Sequence, residues 1–318
     1  MTRKPVIGLA LGSGSARGWA HIGVIRVLEE AGIKPDLVCG ASIGAVVGAA
    51  YALGELDRFE TWARGLTGRT VFSFMDFKLS GGMLKGEKVI EFFRRNFSDR
   101  DIEALDMPFA AVATALHSGS EVWLRSGSTA DAVRASMALP GLFTPAQRDG
   151  RLLVDGGLVN PVPVSLARAM GADVVIAVDL NADILSRHLR TPVAAPEPVA
   201  EALDEEAAHA DPDAGAPWMR RLQDGFVSLL PSSVPESERL PSLLEVVMGS
   251  VNIMQVRITR SRMAGEPPEV VIAPRLAHLG LLDFYRAGDA IEEGRKSAEG
   301  ALPFLQQLGL GNAPESAP

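Results

Sequence analysis

A serine between two glycines stands in the segment "GASIG" at residues 40–44. The segment matches G-x-S-x-G, a sharp strand–turn–helix that exposes a serine hydroxyl above a sheet. A predicted strand, "PDLVCG", leads into it and a helical run of small residues follows, which is the context that such a turn requires. Gly40 and Gly44 would relieve crowding at the turn. The motif and its context together predict that Ser42 is a nucleophile. The alternative is an ordinary serine N-cap of a helix.

A second glycine-rich segment, "GSGSARG" at residues 12–18, follows the first predicted strand. Backbone N–H groups in such loops bind anions. A dinucleotide site requires the spacing G-x-G-x-x-G and an acidic residue about 20 positions further on, at the end of the second strand. Gly12, Gly14 and Gly18 are spaced one residue too widely, and the second strand ends in Cys39 and Gly40. The loop is therefore predicted to bind the oxyanion of an acyl-transfer reaction.

Backbone amides close to the nucleophile would form the oxyanion hole. The predicted donors are the N–H groups of Gly12, Ser13, Gly14 and Ser15. Arg17 lies in the same loop and adds a positive charge. From the sequence, Arg17 either binds a substrate phosphate or carboxylate or ties the loop down, and both roles stay open.

A serine nucleophile needs a base, and the sequence offers two. Asp155 ends a predicted strand in "VDGG", where Gly156 and Gly157 leave space around it. A carboxylate can take the serine proton directly in a buried site. His278 has the chain order of an α/β-hydrolase triad, in which the histidine comes last. A Ser42–Asp155 dyad is preferred, and a Ser–Asp–His site that uses His278 is the alternative.

Strands and helices that could position these groups alternate along the chain. The hydrophobic patterns predict strands at residues 6–12, 35–40, 109–116, 120–127, 151–157, 172–180 and 269–274, and helices at residues 20–32, 43–54, 129–139, 240–263 and 284–308. Apolar strands alternating with helices predict an α/β fold with a mostly parallel central sheet and helices on both faces. Active groups lie at the carboxyl ends of such strands, where all three glycine-containing segments fall.

The composition narrows the class of protein. The 318 residues are 47% hydrophobic and carry a net charge of −8, which argues against nucleic acid as a partner. Cys39 is the single cysteine and fits a reducing compartment, and no His/Cys cluster has the spacing of a metal site. We expect neither a signal peptide nor an apolar stretch of about 18 residues that could span a membrane. These features predict a cytoplasmic protein without a metal or other cofactor.

Two neighbouring segments differ from the rest of the chain. Residues 191–217 contain nine Ala, five Pro and seven acidic residues but no Lys or Arg, which predicts a disordered or loosely held acidic insertion. Residues 218–230, "WMRRLQDGFVSLL", place Trp218 and Phe226 near helical spacing, with two arginines alongside. This segment predicts a core helix, an interfacial helix for peripheral contact with the inner membrane surface, or a lid over the site.

Together, "GSGSARG", "GASIG" and "VDGG" at these separations resemble the patatin-like phospholipase family. "ASMALPGLF" at residues 135–143 is similar to that family's serine/alanine–proline block, and residues 243–276 are similar to its bacterial branch related to neuropathy target esterase. The resemblance implies a patatin-like three-layer fold, a Ser42–Asp155 dyad, an oxyanion hole in residues 12–18 and lipid ester hydrolysis without a metal. Ser13 and Ser15 stand where glycine is more usual, which leaves less room beside the acyl carbonyl.

The sequence thus predicts one patatin-like acyl hydrolase domain over residues 1–318, with its core at residues 6–180 and C-terminal helices and a strand at 240–310. The expected activity is hydrolysis of acyl esters in phospholipids or lysophospholipids. The alternative from another class is a lipid-binding or regulatory module with negligible turnover, and the intact Ser42 and Asp155 argue against it.

Overall fold

The computed structural model of the protein describes residues 3–74, 94–95, 98–184 and 243–311. The chain divides into two units, one formed by Met1–Ile184 with Val251–Pro318 and the other by Leu185–Ser250. The first unit contains an eight-stranded sheet. The described part of the second unit is residues 243–250, which are helical.

The sheet is mixed and mostly parallel. Its strands are β1 (Ile7–Leu11), β2 (Leu37–Ala41), β3 (Phe109–Ala115), β4 (Glu121–Leu124), β5 (Ala146–Arg148), β6 (Arg151–Asp155), β7 (Val174–Val178) and β8 (Val270–Ile272). Hydrogen-bonded neighbours follow the sequence β5-β6-β3-β2-β1-β7-β8, and β4 also pairs with β3. The run from β3 to β8 is parallel, whereas β4, β5 and β6 pair antiparallel.

Helices cover both faces of this sheet. They are α1 (Ala20–Glu30), α2 (Ile43–Ala52), α3 (Leu56–Arg64), α4 (Gly68–Phe74), α5 (Thr129–Ser136), α6 (Val164–Ala169), α7 (Leu243–Gly265) and α8 (Ala287–Gln307). One hydrophobic cluster joins Leu9 and Leu11 of β1 to α1, α2 and α8, and a second joins Ala10 of β1 to α6. Because alternate residues of a strand point to opposite faces, the two clusters lie on opposite sides of the sheet.

Strand β3 sets the position of the site because it holds two other strands along one edge. Ala41 of β2 lies opposite Val112, and Asp155 of β6 lies opposite Ala113. β4 pairs with residues 111–114 and therefore occupies the other edge of β3. β2 runs parallel to β3 and β6 runs antiparallel. The carboxyl ends of β2 and β6 thus meet end to end beside the middle of β3.

The predicted α/β class, with a mostly parallel central sheet and helices on both faces, is confirmed. The helix predicted at residues 129–139 ends earlier, at Ser136, because Pro140 disfavours the helical conformation at the residue before it. The helix predicted at residues 284–308 begins as a 3-10 turn, Phe284–Arg286, and is α-helical from Ala287.

Candidate active site

Ser42 occupies the sharp turn between β2 and α2. Its backbone has φ 56° and ψ −124°, a positive-φ conformation that is strained for a residue with a side chain. The Ser42 N–H donates to Ser136 Oγ at 2.9 Å, and Ser136 is fully buried. The turn therefore holds the serine at the N-terminus of α2, where the helix dipole favours negative charge.

Gly40 and Gly44 are needed at this turn because other backbone atoms pass too close for a side chain. A Cβ atom on Gly40 would lie 2.3 Å from the Gly44 carbonyl oxygen, and one on Gly44 would lie 2.2 Å from the Leu11 carbonyl oxygen. Both distances are well inside van der Waals contact. The glycine spacing that predicts the turn from the sequence therefore has a steric cause.

The Asp155 carboxylate lies directly beside the Ser42 hydroxyl. Ser42 Oγ donates to Asp155 Oδ2 at 2.5 Å, and the Gly157 N–H donates to Asp155 Oδ1 at 2.7 Å. Gly156 packs on β3, where a Cβ atom would lie 2.1 Å from the Val112 carbonyl oxygen. The fold thus brings the two predicted residues into contact, and both glycines of "VDGG" shape the turn that holds the carboxylate.

Burial controls the acidity of Asp155. The residue is fully buried, which raises the pKa of its carboxyl to about 6, although the hydrogen bonds from Ser42 and Gly157 act in the opposite direction. Thr114 Oγ1 donates to the Asp155 carbonyl at 2.8 Å and fixes its backbone. A carboxylate with this pKa is ionised at neutral pH and is more basic than an exposed aspartate, as a general base should be.

Two of the four amides predicted as oxyanion donors are already engaged. Gly12 N–H donates to the carbonyl at the end of β7 at 3.0 Å, and Ser13 N–H donates to the Pro161 carbonyl at 2.8 Å. These two protons already have acceptors, so Gly14 and Ser15 remain the candidate donors among the four predicted. The N–H groups of Gly14 and Ser15 have no acceptor among the residues that the structure describes.

Side chains hold the carbonyls of this loop. His21 Nε2 donates to the Gly12 carbonyl at 2.8 Å, and Arg17 Nε donates to the Gly14 carbonyl at 3.1 Å. Because a trans peptide group is planar, its carbonyl and its N–H point in opposite directions. Arg17 therefore fixes the direction of the Ser15 N–H.

Arg17 acts on the loop from a buried position. It is 3% exposed, and it also donates through Nη2 to Asn252 Oδ1 of α7 at 3.3 Å. Burial lowers the pKa of the guanidinium to about 10, while Asp183 and Asp179 favour its charged form, so it stays charged at neutral pH. Of the two roles that the sequence left open for Arg17, these contacts match loop anchoring.

The loop is held against α1 by His21 and against α2 by the contact of Gly18 with Ile43. His21 is fully buried, and burial lowers the pKa of its ring to about 4, so the neutral ring donates from Nε2 to the Gly12 carbonyl. Gly18 packs on Ile43, where a Cβ atom would lie 2.0 Å from Cγ1. His21 is absent from the predicted site because a histidine at the start of a helix has no distinguishing motif.

A buried polar cluster of Ser13, Asn181 and Gln255 lies behind the loop. Ser13 Oγ and Asn181 Nδ2 both donate to Gln255 Oε1, each at 3.1 Å. Asn181 Nδ2 also donates to the Ser13 carbonyl at 3.3 Å. Sequence reasoning missed Asn181 and Gln255, because neither belongs to a motif and only the fold brings them to the loop.

Other reactive groups take no part in this arrangement. His278 is exposed. Ser42 Oγ is hydrogen bonded to the Asp155 carboxylate, whose other oxygen accepts from the Gly157 N–H, and His278 takes part in neither bond. Cys39 is buried in β2, where burial raises the pKa of its thiol. Within the described ranges, no group of three His, Cys, Asp or Glu is arranged to hold a metal ion. The helices in those ranges are too short or too polar to cross a membrane.

Some predictions fall on parts of the chain outside the described residues. These are the acidic insertion at residues 191–217 and the helix at residues 218–230. Both stay predictions, as does the extent of a single domain over residues 1–318.

Comparison with known proteins identifies the family. The model of the family described as patatin-like phospholipase matches residues 9–168, a range that contains Ser42, Asp155 and the glycine-rich loop. An NTE family protein of Mycobacterium tuberculosis is 36% identical over 338 aligned positions, which cover 95% of this chain and 93% of that protein. The chain belongs to the patatin-like phospholipase family, which confirms the predicted resemblance. Family membership implies a lipid acyl hydrolase.

Two further similarities cover a smaller share of the other protein or have a lower identity. The human patatin-like phospholipase domain-containing protein 6 is 39% identical over 183 residues, which cover 55% of this chain and 13% of that protein. Among solved structures, VipD from Legionella pneumophila is similar with a TM-score of 0.49 and 13% identity, over 94% of this chain and 66% of that chain.

Proposed function

We propose that the protein hydrolyses acyl esters of phospholipids or lysophospholipids, with Ser42 as nucleophile and Asp155 as base. The observation that carries the proposal is the 2.5 Å hydrogen bond from the Ser42 hydroxyl to the Asp155 carboxylate. A serine hydroxyl is a weak nucleophile until a neighbouring base accepts its proton, and here the base is the carboxylate itself.

Acylation uses both residues. Ser42 Oγ attacks the ester carbonyl carbon while its proton passes to Asp155 Oδ2. The tetrahedral intermediate then collapses, the bond to the leaving alcohol breaks, and protonated Asp155 returns the proton to the alcohol oxygen. The acyl group remains as an ester of Ser42.

Deacylation repeats these steps with water. Asp155 takes a proton from a water molecule whose oxygen attacks the acyl carbon. When the second tetrahedral intermediate collapses, Asp155 gives the proton back to Ser42 Oγ and the fatty acid leaves. The balance is one ester and one water converted to one acid and one alcohol.

The Gly14 and Ser15 amides stabilise the oxyanion in both steps. β1 and β2 are parallel neighbours, so the loop after β1 and the turn at Ser42 follow adjacent carboxyl ends. Both amides lack an acceptor among the described residues, unlike those of Gly12 and Ser13. Loss of one such donor from an oxyanion hole typically lowers kcat by about 10² to 10³.

A dyad is favoured over the Ser–Asp–His alternative by the direct contact of its two members. In a triad an imidazole stands between the serine and the carboxylate. Ser42 Oγ and Asp155 Oδ2 are hydrogen bonded to each other, which leaves no place for a ring between them.

The proposal is tested with purified protein and its Ser42→Ala variant. Hydrolysis of a soluble aryl ester, a diacyl phospholipid and a lysophospholipid is measured by fatty acid release, and a fluorophosphonate probe is mapped by peptide sequencing. Ser118→Ala, at an exposed turn, is the matched control. We expect activity and labelling in the wild type and the control, and neither in Ser42→Ala. Labelling of another serine, or hydrolysis by Ser42→Ala, would contradict the assignment.

A further inference from the structure

We propose that Asn181 and Gln255 are positioning residues for the oxyanion hole, because they hold the Gly14 amide toward the substrate. The inference rests on the proposed function and deepens it. Arg17 accounts for the direction of the Ser15 amide. The Gly14 amide needs a separate support, since it belongs to a different peptide group.

Asn181 supplies this support through the Ser13 carbonyl. Its Nδ2 donates to that carbonyl at 3.3 Å from a position where the side chain is almost fully buried. The Ser13 carbonyl and the Gly14 N–H belong to one planar trans peptide group and point in opposite directions. A carbonyl held toward Asn181 therefore turns the Gly14 N–H away from the buried side of the loop.

Gln255 fixes Asn181 in turn. Its Oε1 accepts hydrogen bonds from Asn181 Nδ2 and from Ser13 Oγ, each at 3.1 Å, so both the amide and the loop side chain are oriented by one atom. Gln255 is 5% exposed, and solvent does not compete for these bonds as it would at the surface. The Ser13 hydroxyl thus connects the loop to α7 by a second side-chain hydrogen bond, besides that of Arg17 to Asn252.

Gln255 also reaches the turn that carries the base. A Cβ atom on Gly157 would lie 2.6 Å from Gln255 Nε2 and 2.9 Å from Asp155 Oδ1. Gln255 thus packs on the residue whose N–H binds the carboxylate, at the same time as it orders the loop. The Gln255 side chain therefore contacts both the glycine-rich loop and the turn that carries Asp155. Neither Asn181 nor Gln255 is assigned a contact with substrate.

The test compares an oxygen ester with its thionoester analogue, in which sulfur replaces the carbonyl oxygen. Sulfur is a weak hydrogen-bond acceptor, so the oxyanion hole stabilises the transition state of the thionoester only slightly. The variants are Asn181→Ala and Gln255→Met, and Gln255→Glu retains an acceptor oxygen. Thr259→Val is the matched control, because Thr259 lies one turn further along α7, is 3% exposed, and has no hydrogen-bond partner for its hydroxyl among the described residues.

We expect kcat on the oxygen ester to fall at least about tenfold in Asn181→Ala and Gln255→Met, with KM within about twofold, since a misdirected donor forfeits part of an oxyanion hole's effect. The thionoester rate should change much less, so the ratio of the two rates falls. Gln255→Glu should keep the ratio nearer that of the wild type, and Thr259→Val should leave it unchanged. If Asn181→Ala does not fold, Gln255→Met carries the test.

Two results would overturn the inference. Folded variants with the wild-type ratio would show that the loop needs no support from Asn181 and Gln255, and equal losses on both substrates would show that the defect lies outside the oxyanion hole. In either case the proposed function stands if wild-type hydrolysis depends on Ser42. A wild type that hydrolyses neither substrate would instead remove the proposed function, and this inference with it.

Discussion

The Ser42 hydroxyl lies 2.5 Å from the Asp155 carboxylate because the two residues stand at the ends of strands that approach each other along one edge of β3. They are 113 residues apart in the chain. The contact requires a strained turn at Ser42 and a buried carboxyl group at Asp155. Both features destabilise the folded state, as is common at functional sites, and each has a measurable consequence.

Ser42→Gly should be more stable than Ser42→Ala. Glycine adopts the positive φ of the turn without steric strain, whereas alanine keeps the Cβ atom that causes it. Both variants lose the same hydrogen bond to Asp155, so the difference between their free energies of unfolding reports the backbone strain at residue 42. We expect a difference of about 1 kcal/mol in the free energy of unfolding, measured by urea denaturation. Equal stabilities would contradict a strained turn.

The activity should rise with pH through the titration of Asp155. Burial raises the pKa of this carboxyl to about 6, and a protonated carboxyl cannot accept the Ser42 proton. The value of kcat/KM on a soluble ester should therefore be low in mildly acidic buffer, increase around pH 6 and reach a plateau above it. A profile that is flat across this range, or that falls as the pH rises, would argue against Asp155 as the base.

Asp155→Asn should stabilise the fold at neutral pH while it removes activity. The folded-state pKa of about 6 lies above the ordinary aspartate value of about 3.9, so the folded protein binds this proton more tightly than the unfolded chain. The wild type therefore loses stability as the pH rises between these values, by on the order of 2–3 kcal/mol. The variant carries no such group and should not show this loss.

The check is the difference in unfolding free energy between wild type and Asp155→Asn, followed against pH. Other titrating groups are shared by the two proteins and largely cancel. The advantage of the variant should grow from about pH 4 to about pH 6 and then stay constant. A variant that is less stable than the wild type at neutral pH would show that the carboxylate stabilises the fold.

The interfacial interpretation of the predicted helix at residues 218–230 can be tested by membrane binding. If it is interfacial, Trp218→Ala combined with Phe226→Ala should weaken sedimentation with anionic phospholipid vesicles, because the aromatic side chains insert while the arginines meet the headgroups. Trp123→Ala is the control, since Trp123 is exposed elsewhere, on β4. Unchanged binding, or no binding by the wild type, would favour the core-helix interpretation.

The sequence is most informative where one residue type is sterically required. Gly40 and Gly44 have no space for a side chain, so the turn that carries Ser42 could be predicted from the amino-acid sequence alone. Asp155 could be predicted for a similar reason, because two glycines follow it at the end of a strand. The apolar runs of β1 and β3 likewise reflect burial on both faces, which only a covered sheet provides.

The sequence is least informative where a role depends on distant partners. Ser13 and Gln255 are 242 residues apart, and nothing local marks either as part of one cluster. Which amides of the loop stay free also depends on other segments, since a carbonyl of β7 takes the Gly12 N–H and Pro161 takes that of Ser13. Short elements such as β5 and α6 escaped prediction because three to six residues give too little periodicity.

The most direct test of the Ser42–Asp155 dyad is the value of kcat/KM for Asp155→Asn and His278→Ala on one soluble ester, with circular dichroism to confirm folding. Asp155→Asn keeps the shape of the side chain but removes the proton acceptor, so it should lower the rate by at least ~10². His278→Ala should stay within about tenfold of the wild type, equivalent to about 1.4 kcal/mol of barrier. A folded but inactive His278→Ala, together with an active Asp155→Asn, would contradict the dyad.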